Sequence, residues 1–323
     1  MPIINGNGDA TEIHRNETTG TTGVALSSAI NNFHMHLKAT GRASGTILCY
    51  LGELERLNEF FGKRDIGQVT GRHLEKVIVL LSEQCINGTR RTVVTMNRIK
   101  SVYRSFFRWA CESGYTSRNP AACLSLAKAN SRPTIPITLD EITHFLCTIR
   151  KSGDRFAGRD EALLATYAFT GIRRSEGLSL RVKDYDPVSL TLYLPRAKGG
   201  NSRIQPVPDL LAEILERYMN GLRSNGITGD YAPLFPGRYI HRPLSFRQAQ
   251  ARFDKWKNLS GIRKDLTIHS FRAGFATLLY RTTGDILLVA RAMGHSDIST
   301  TDRYVSNNMP AVREAMEKTF MVQ

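Results

Sequence analysis

The chain has 323 residues, 41% of them hydrophobic, and 44 lysines and arginines against 29 acidic residues give a formal net charge of +15. That length exceeds an ordinary single domain and predicts two, with apolar content enough for a real core. The charge argues against an enzyme of small neutral metabolites and suits a partner whose phosphates it neutralises with release of counterions, although a merely solvated basic surface or an acidic membrane would accept the same charge.

Residues 1–23 are rich in Gly, Thr and Asn, with no apolar stretch. They read as a disordered leader, not a secretory signal. From Val24 the pattern is helical, with Leu26, Ile30, Phe33 and Leu37 on one face. A break at Gly41 to Gly45 precedes a second helix carrying Leu51, Leu54, Leu57 and Phe61. Thr70 has the chemistry of an N-cap for a third helix, with Leu74, Val77 and Leu81 inward.

A fourth helix is expected from about Arg90 to Ser113, closed by Gly114, its apolar face formed by Ile99, Val102, Tyr103, Phe106, Trp109 and Ala110. Lys100, Arg104 and Arg108 follow at four-residue steps and make a basic stripe beside that face. Such a stripe is a DNA-contact candidate, although most basic stripes are only solvated faces. Asn119 and Pro120 cap and open a short further helix. The segment 128–136, with two prolines and no periodicity, reads as a linker between a helical domain over 24–127 and a second domain over 137–323.

Thr138 and Glu141 have capping-box spacing and open the second domain. It reads as helical apart from a β-hairpin, in which Leu190 to Leu194 alternate, a basic Gly-rich turn carries Lys198, and Arg203 to Val207 return. A small strand or turn is expected at 232–236. Helices are expected near 209–223, 245–258, 269–283, 285–293, 299–305 and 310–320. The fold class is therefore mainly α with a small antiparallel sheet, in two domains. The five cysteines (Cys49, Cys85, Cys111, Cys123, Cys147) are odd in number and lack a Cys-x-x-Cys pair, so they form neither a disulfide framework nor a zinc site, and they suit a reducing compartment. No apolar run is long enough to cross a bilayer, so no membrane partner is expected.

Four segments of the second domain combine polar residues in specific local settings. Thr170-Gly-Ile-Arg173 places an arginine after a glycine turn, with Glu176 one helical turn on. Lys198 stands on the hairpin turn. His269 and Arg272 share a helix face at three-residue spacing. Gly294-His295 is followed nine residues later by Tyr304. Singly, each has an ordinary explanation: an ion pair, a solvated lysine, a capping or semi-buried histidine, a core tyrosine.

Their joint order resembles the signature of the tyrosine recombinase (phage-integrase-like) family: T-G-x-R-x-x-E, a hairpin Lys, H-x-x-R, then G-H with a Tyr nine residues on. The region 24–127 resembles that family's N-terminal helical, SAM-like DNA-clamping domain, down to a Gly-Tyr-x-x-x-Asn-Pro phrase at Gly114 to Pro120. Three positions depart from common family usage: Val305-Ser306 after the tyrosine, Ala273 after the second arginine, and a hairpin without a second lysine. None is a residue assigned to the chemistry.

The resemblance implies a site-specific recombinase that cuts and rejoins DNA through a 3′-phosphotyrosyl intermediate. Arg173 and Arg272 would bind the non-bridging phosphate oxygens with planar, permanently charged forks. Tyr304 would attack, His269 would take its proton or neutralise developing charge, Lys198 would protonate the leaving 5′-oxygen, and His295 would hydrogen-bond the phosphate or buttress the tyrosine. Glu176 would support Arg173. No metal or cofactor is implied.

The same resemblance implies a double-stranded DNA site as partner and a homotetramer on two duplexes, joined through the tail helix at about 310–320. It also admits an accessory DNA-bending protein and a cytoplasmic, nucleoid-associated location. The task would be integration or excision of a mobile element, or dimer resolution. The alternatives are a type IB topoisomerase-like enzyme that relaxes DNA without exchanging strands, and a catalytically silent DNA-binding architectural protein.

Overall fold

The computed structural model describes residues 23–62, 64–86, 88–129, 134–195, 202–224, 226 and 229–294. The chain divides into two compact units, residues 1–131 and 132–323.

The first unit is built on α1 (Leu26–Ala39), α2 (Ser44–Phe61), α3 (Gly71–Glu83) and α4 (Val93–Glu112). The expected apolar stripes are the buried faces: Leu26, Ile30, Phe33 and Leu37 of α1 pack with Leu54 and Leu57 of α2, Leu74, Val77 and Leu81 of α3, and Ile99, Val102, Tyr103 and Phe106 of α4. The Thr70 side chain accepts from the His73 amide at 3.4 Å and caps α3.

One expectation is corrected. The fourth helix starts at Val93, capped by Thr92, whose hydroxyl accepts from Thr95 N–H at 3.2 Å. Arg90 belongs instead to a two-stranded hairpin of β1 (Cys85–Ile86) and β2 (Thr89–Arg90). Strands of two residues are too short to show alternation, which is why the sequence pattern does not reveal them.

The second unit opens with α5 (Leu139–Lys151), where Thr138 and Glu141 form the anticipated reciprocal cap at 3.3 and 2.9 Å. Next comes α6 (Ala157–Thr170), on which α5, α8 (Asp209–Ser224) and α10 (Ile268–Thr283) pack. Most of α6 is buried on every side, so it has no polar stripe and no amphipathic period from which to predict it. The short α7 (Arg174–Ser179) follows, then a three-stranded antiparallel sheet of β3 (Tyr185–Asp186), β4 (Thr191–Leu194) and β5 (Arg203–Pro206). Leu192 of the central β4 pairs with Gln205 of β5. The 232–236 segment forms isolated bridges, Arg181 with Pro233 and Pro236 with Pro243, and no extended strand. The remaining helices are α9 (Phe246–Ser260) and α11 (Ile286–Met293). Among the described residues no helix is long and apolar enough to cross a membrane.

An aromatic cluster of Phe145, Phe253 and Phe271 ties α5, α9 and α10 together, with ring centroids 5.6 to 6.2 Å apart. Beside it, the buried Asp160 accepts hydrogen bonds from Arg159 at 2.8 and 3.0 Å and from the Trp256 indole at 2.8 Å, and it pairs with Arg252. Removing one member of a buried ionic cluster strands the others in a low dielectric. Asp160→Ala is therefore expected to destabilise this unit by about 3–5 kcal/mol. A thermal melt within about 2 °C of the parent would contradict that.

Candidate active site

The site is assembled where three helix ends meet. Helix α6 stops at Gly171, whose φ of +61° is left-handed. A Cβ there would also lie 2.3 Å from the Phe275 ring. The chain then turns so that Arg173, in extended conformation (φ −69°, ψ 149°), becomes the N-cap of α7. Glu176, at the third position of α7, reaches back and accepts from the Arg173 amide at 2.7 Å and from its Nη1 at 3.1 Å. The second Arg173 nitrogen, Nη2, donates to the Gly294 carbonyl at 3.1 Å.

Arg272 reaches the same place from α10. It is 5% exposed, and its guanidinium donates to the Gly171 carbonyl and, at 2.8 Å, to the Met293 carbonyl. Helix α11 explains the meeting point. Asp285 caps its start, accepting from Leu287 and Leu288 at 2.8 and 3.0 Å, and Gly294, at φ +62°, ends it. Its last carbonyls have no helical partner and carry the negative end of the helix dipole, so they attract cations. Two guanidiniums far apart in sequence thus converge on the consecutive carbonyls of Met293 and Gly294.

His269 lies in the first turn of α10, one turn before Arg272. Partial burial and the nearby Arg174 and Arg272 guanidiniums hold its imidazole below the ordinary value of 6.5, and the positive helix N-terminus acts in the same direction. His269 is therefore neutral at pH 7 and able to accept a proton. Because its folded pKa is depressed, the folded state is weakened as pH falls below 6.5. An NMR titration of His269 is expected to show a midpoint below 6.5 that rises in Arg174→Ala; a parent midpoint at or above the ordinary value would overturn this.

The structure thus brings together Arg173, Glu176, His269 and Arg272. Lys198, His295 and Tyr304, and the helices expected at 299–305 and 310–320, lie outside the described residues. Among the described residues no group of three or more His, Cys, Asp or Glu is placed to hold a metal ion.

One residue of the site was not anticipated from the sequence. Arg203, at the start of β5, donates to both oxygens of Glu176 at 3.0 Å each. Burial pushes the Glu176 carboxyl up, but the hydrogen bonds from Arg203 and Arg173 outweigh it and hold the pKa below the ordinary 4.5. The only sequence signal was that the hairpin is basic.

In the first unit, the stripe on α4 has a local use. Lys100 donates to the Ser125 carbonyl at 2.9 Å and Arg104 to that of Leu124 at 3.4 Å, holding down the segment after the 3-10 turn Pro120–Cys123. Arg104 and Arg108 are nonetheless exposed.

Residues 136–310 match the model of the phage integrase family. The tyrosine recombinase XerC of Chromobacterium violaceum is 28% identical over 281 residues, covering 87% of this chain and 90% of that protein. The fold is similar to that of a lambda integrase dimer bound to a COC′ core site, with a TM-score of 0.68 at 17% identity over 87% of this chain and 77% of that one. It is equally similar to a lambda integrase tetramer bound to a Holliday junction, with a TM-score of 0.68 at 16% identity over 88% and 78% of the two chains.

Proposed function

This chain belongs to the phage integrase family, and we propose that it is a tyrosine-type site-specific DNA recombinase acting through a 3′-phosphotyrosyl intermediate. The observation that carries the reading is the convergence of Arg173 and Arg272 on the carbonyls that end α11, ten residues before Tyr304 in the chain.

A phosphodiester resists attack because its own charge repels nucleophiles and its alkoxide is a poor leaving group. Catalysis consists mainly of positioning and charge stabilisation. Arg173 spends one N–H on Glu176 and another on Gly294, and a guanidinium has five donors. It therefore retains donors for a non-bridging phosphate oxygen, and Arg272 would serve the other. The Tyr304 hydroxyl attacks phosphorus while its proton passes toward neutral His269. The P–O5′ bond breaks, and Lys198 gives a proton to the departing oxygen. His295 hydrogen-bonds the phosphate or buttresses the tyrosine.

The phosphotyrosine conserves the bond energy, so a 5′-hydroxyl from another strand reverses the step without a nucleotide cofactor. The same reading places double-stranded DNA in the site. By analogy with the lambda integrase tetramer on a Holliday junction, four copies would hold two duplexes through the 310–320 tail. It also includes DNA contact by the α4 stripe of Lys100, Arg104 and Arg108. The biological task is then integration or excision of a mobile element, or dimer resolution.

The test is a suicide duplex carrying a nick near the scissile bond, so that the cut fragment diffuses away and the covalent product accumulates. A protein–DNA adduct whose peptide map places DNA on Tyr304 is expected, followed by joining to a second duplex. A protein that forms the adduct and relaxes supercoiled plasmid but never joins two duplexes would replace this reading with a topoisomerase. No adduct at all would sink the enzymatic reading.

A further inference from the structure

Glu176 is the anion around which the site is built, and its side chain is 2% exposed. A buried carboxylate is tolerated only when its oxygens are fully occupied by donors. Four donors meet it: the Arg173 amide at 2.7 Å, Arg173 Nη1 at 3.1 Å, and Arg203 Nη1 and Nη2 at 3.0 Å each. The division of labour is unequal. Arg203 makes the two-oxygen fork, the strongest form of this pair. The Arg173 side chain touches a single oxygen and directs its other nitrogen to Gly294.

That inequality has a consequence for Arg173. Its side chain is 39% exposed, and it is the cation next nearest to the carboxylate. Without Arg203, the buried charge would have Arg173 as its remaining partner. The stable response is for Arg173 to swing into the vacated fork, giving up Gly294 and withdrawing donors from the phosphate. Gly294 itself permits the arrangement, since a Cβ there would sit 2.7 Å from Arg203 Cζ. We propose that Arg203 is a positioning residue: by saturating Glu176 it keeps the Arg173 guanidinium turned toward Gly294 and available to the scissile phosphate. This rests on the recombinase reading above.

The experiment measures single-turnover cleavage of the suicide duplex by the full chain, with site binding measured in parallel. Arg203→Ala is expected to slow cleavage about 100-fold while binding changes little. The decisive variant is Arg203→Ala combined with Glu176→Gln. Glutamine keeps an oxygen for the Arg173 amide but removes the charge that captures its side chain, so the double variant should regain about tenfold of the lost rate. A residue that merely stiffened the hairpin would show no such recovery.

Arg203→Lys covers the case in which alanine prevents folding. It keeps the charge but not the fork, and it too should slow cleavage and recover on adding Glu176→Gln. Cleavage by Arg203→Ala within about threefold of the parent would overturn the inference, as would losses that Glu176→Gln never relieves. The parent serves as control for the underlying reading: if it forms no Tyr304-dependent adduct, the recombinase reading fails and this inference falls with it. Normal parental cleavage with an indifferent Arg203 sinks only the positioning role.

Discussion

Tyr304→Phe is expected to abolish the covalent protein–DNA adduct, with cleavage at least about 10⁴-fold below the parent. The substitution deletes one oxygen, and that oxygen forms the new bond to phosphorus in the proposed reaction. Phenylalanine supplies no nucleophile. DNA affinity should hardly change, because replacing a phenol by a phenyl ring removes one hydroxyl and no formal charge. The informative result is therefore a split: unchanged binding on gel shift with no adduct on a denaturing gel. Adduct formation by the phenylalanine variant at a rate near the parent's would remove Tyr304 from the chemistry and require another nucleophile.

Arg272→Ala should lower cleavage by roughly 10³-fold, for two reasons that act together. The variant loses a permanently charged fork for a non-bridging oxygen, and charge stabilisation is the main resource of phosphoryl transfer. It also loses the tie between α10, the end of α6 and the end of α11, since the guanidinium donates to the carbonyls of both Gly171 and Met293. Arg272→Lys separates the two effects. A lysine brings a point charge without the planar fork, so it should recover little of the rate while keeping most of the thermal stability. Full activity in the lysine variant would mean that charge alone suffices and that the fork has no part.

Legibility from the sequence differed from element to element. Helices α1 to α4 and α8 to α11 were readable because each exposes one face and buries another, and the caps at Thr70, Thr138 and Asn119 do what short polar side chains do at helix starts. Helix α6 was not readable as a separate element, because residues buried on all sides leave no period. The hairpin at Cys85 to Arg90 was too short to show one, and its omission misplaced the start of α4. On α4 itself, spacing identified the basic stripe but not its targets. That Lys100 and Arg104 reach the carbonyls of Ser125 and Leu124 depends on how the chain returns after Pro120.

Spacing along the chain is enough to fix the kinds of group available and their local settings: an arginine after a glycine turn with a glutamate one turn on, a histidine and an arginine on one helical face, and a glycine before His295. These follow from contacts of three or four residues' range, which the helical repeat dictates. Long-range packing is what turns Arg173 and Arg272 to neighbouring carbonyls at the end of α11 and brings Arg203 from β5 onto Glu176. A guanidinium several bonds from its backbone donates to whatever unpaired carbonyl or carboxylate the packing brings near. That choice is made by the packing of α6, α10 and α11 and by the return of the hairpin, not by any spacing along the chain.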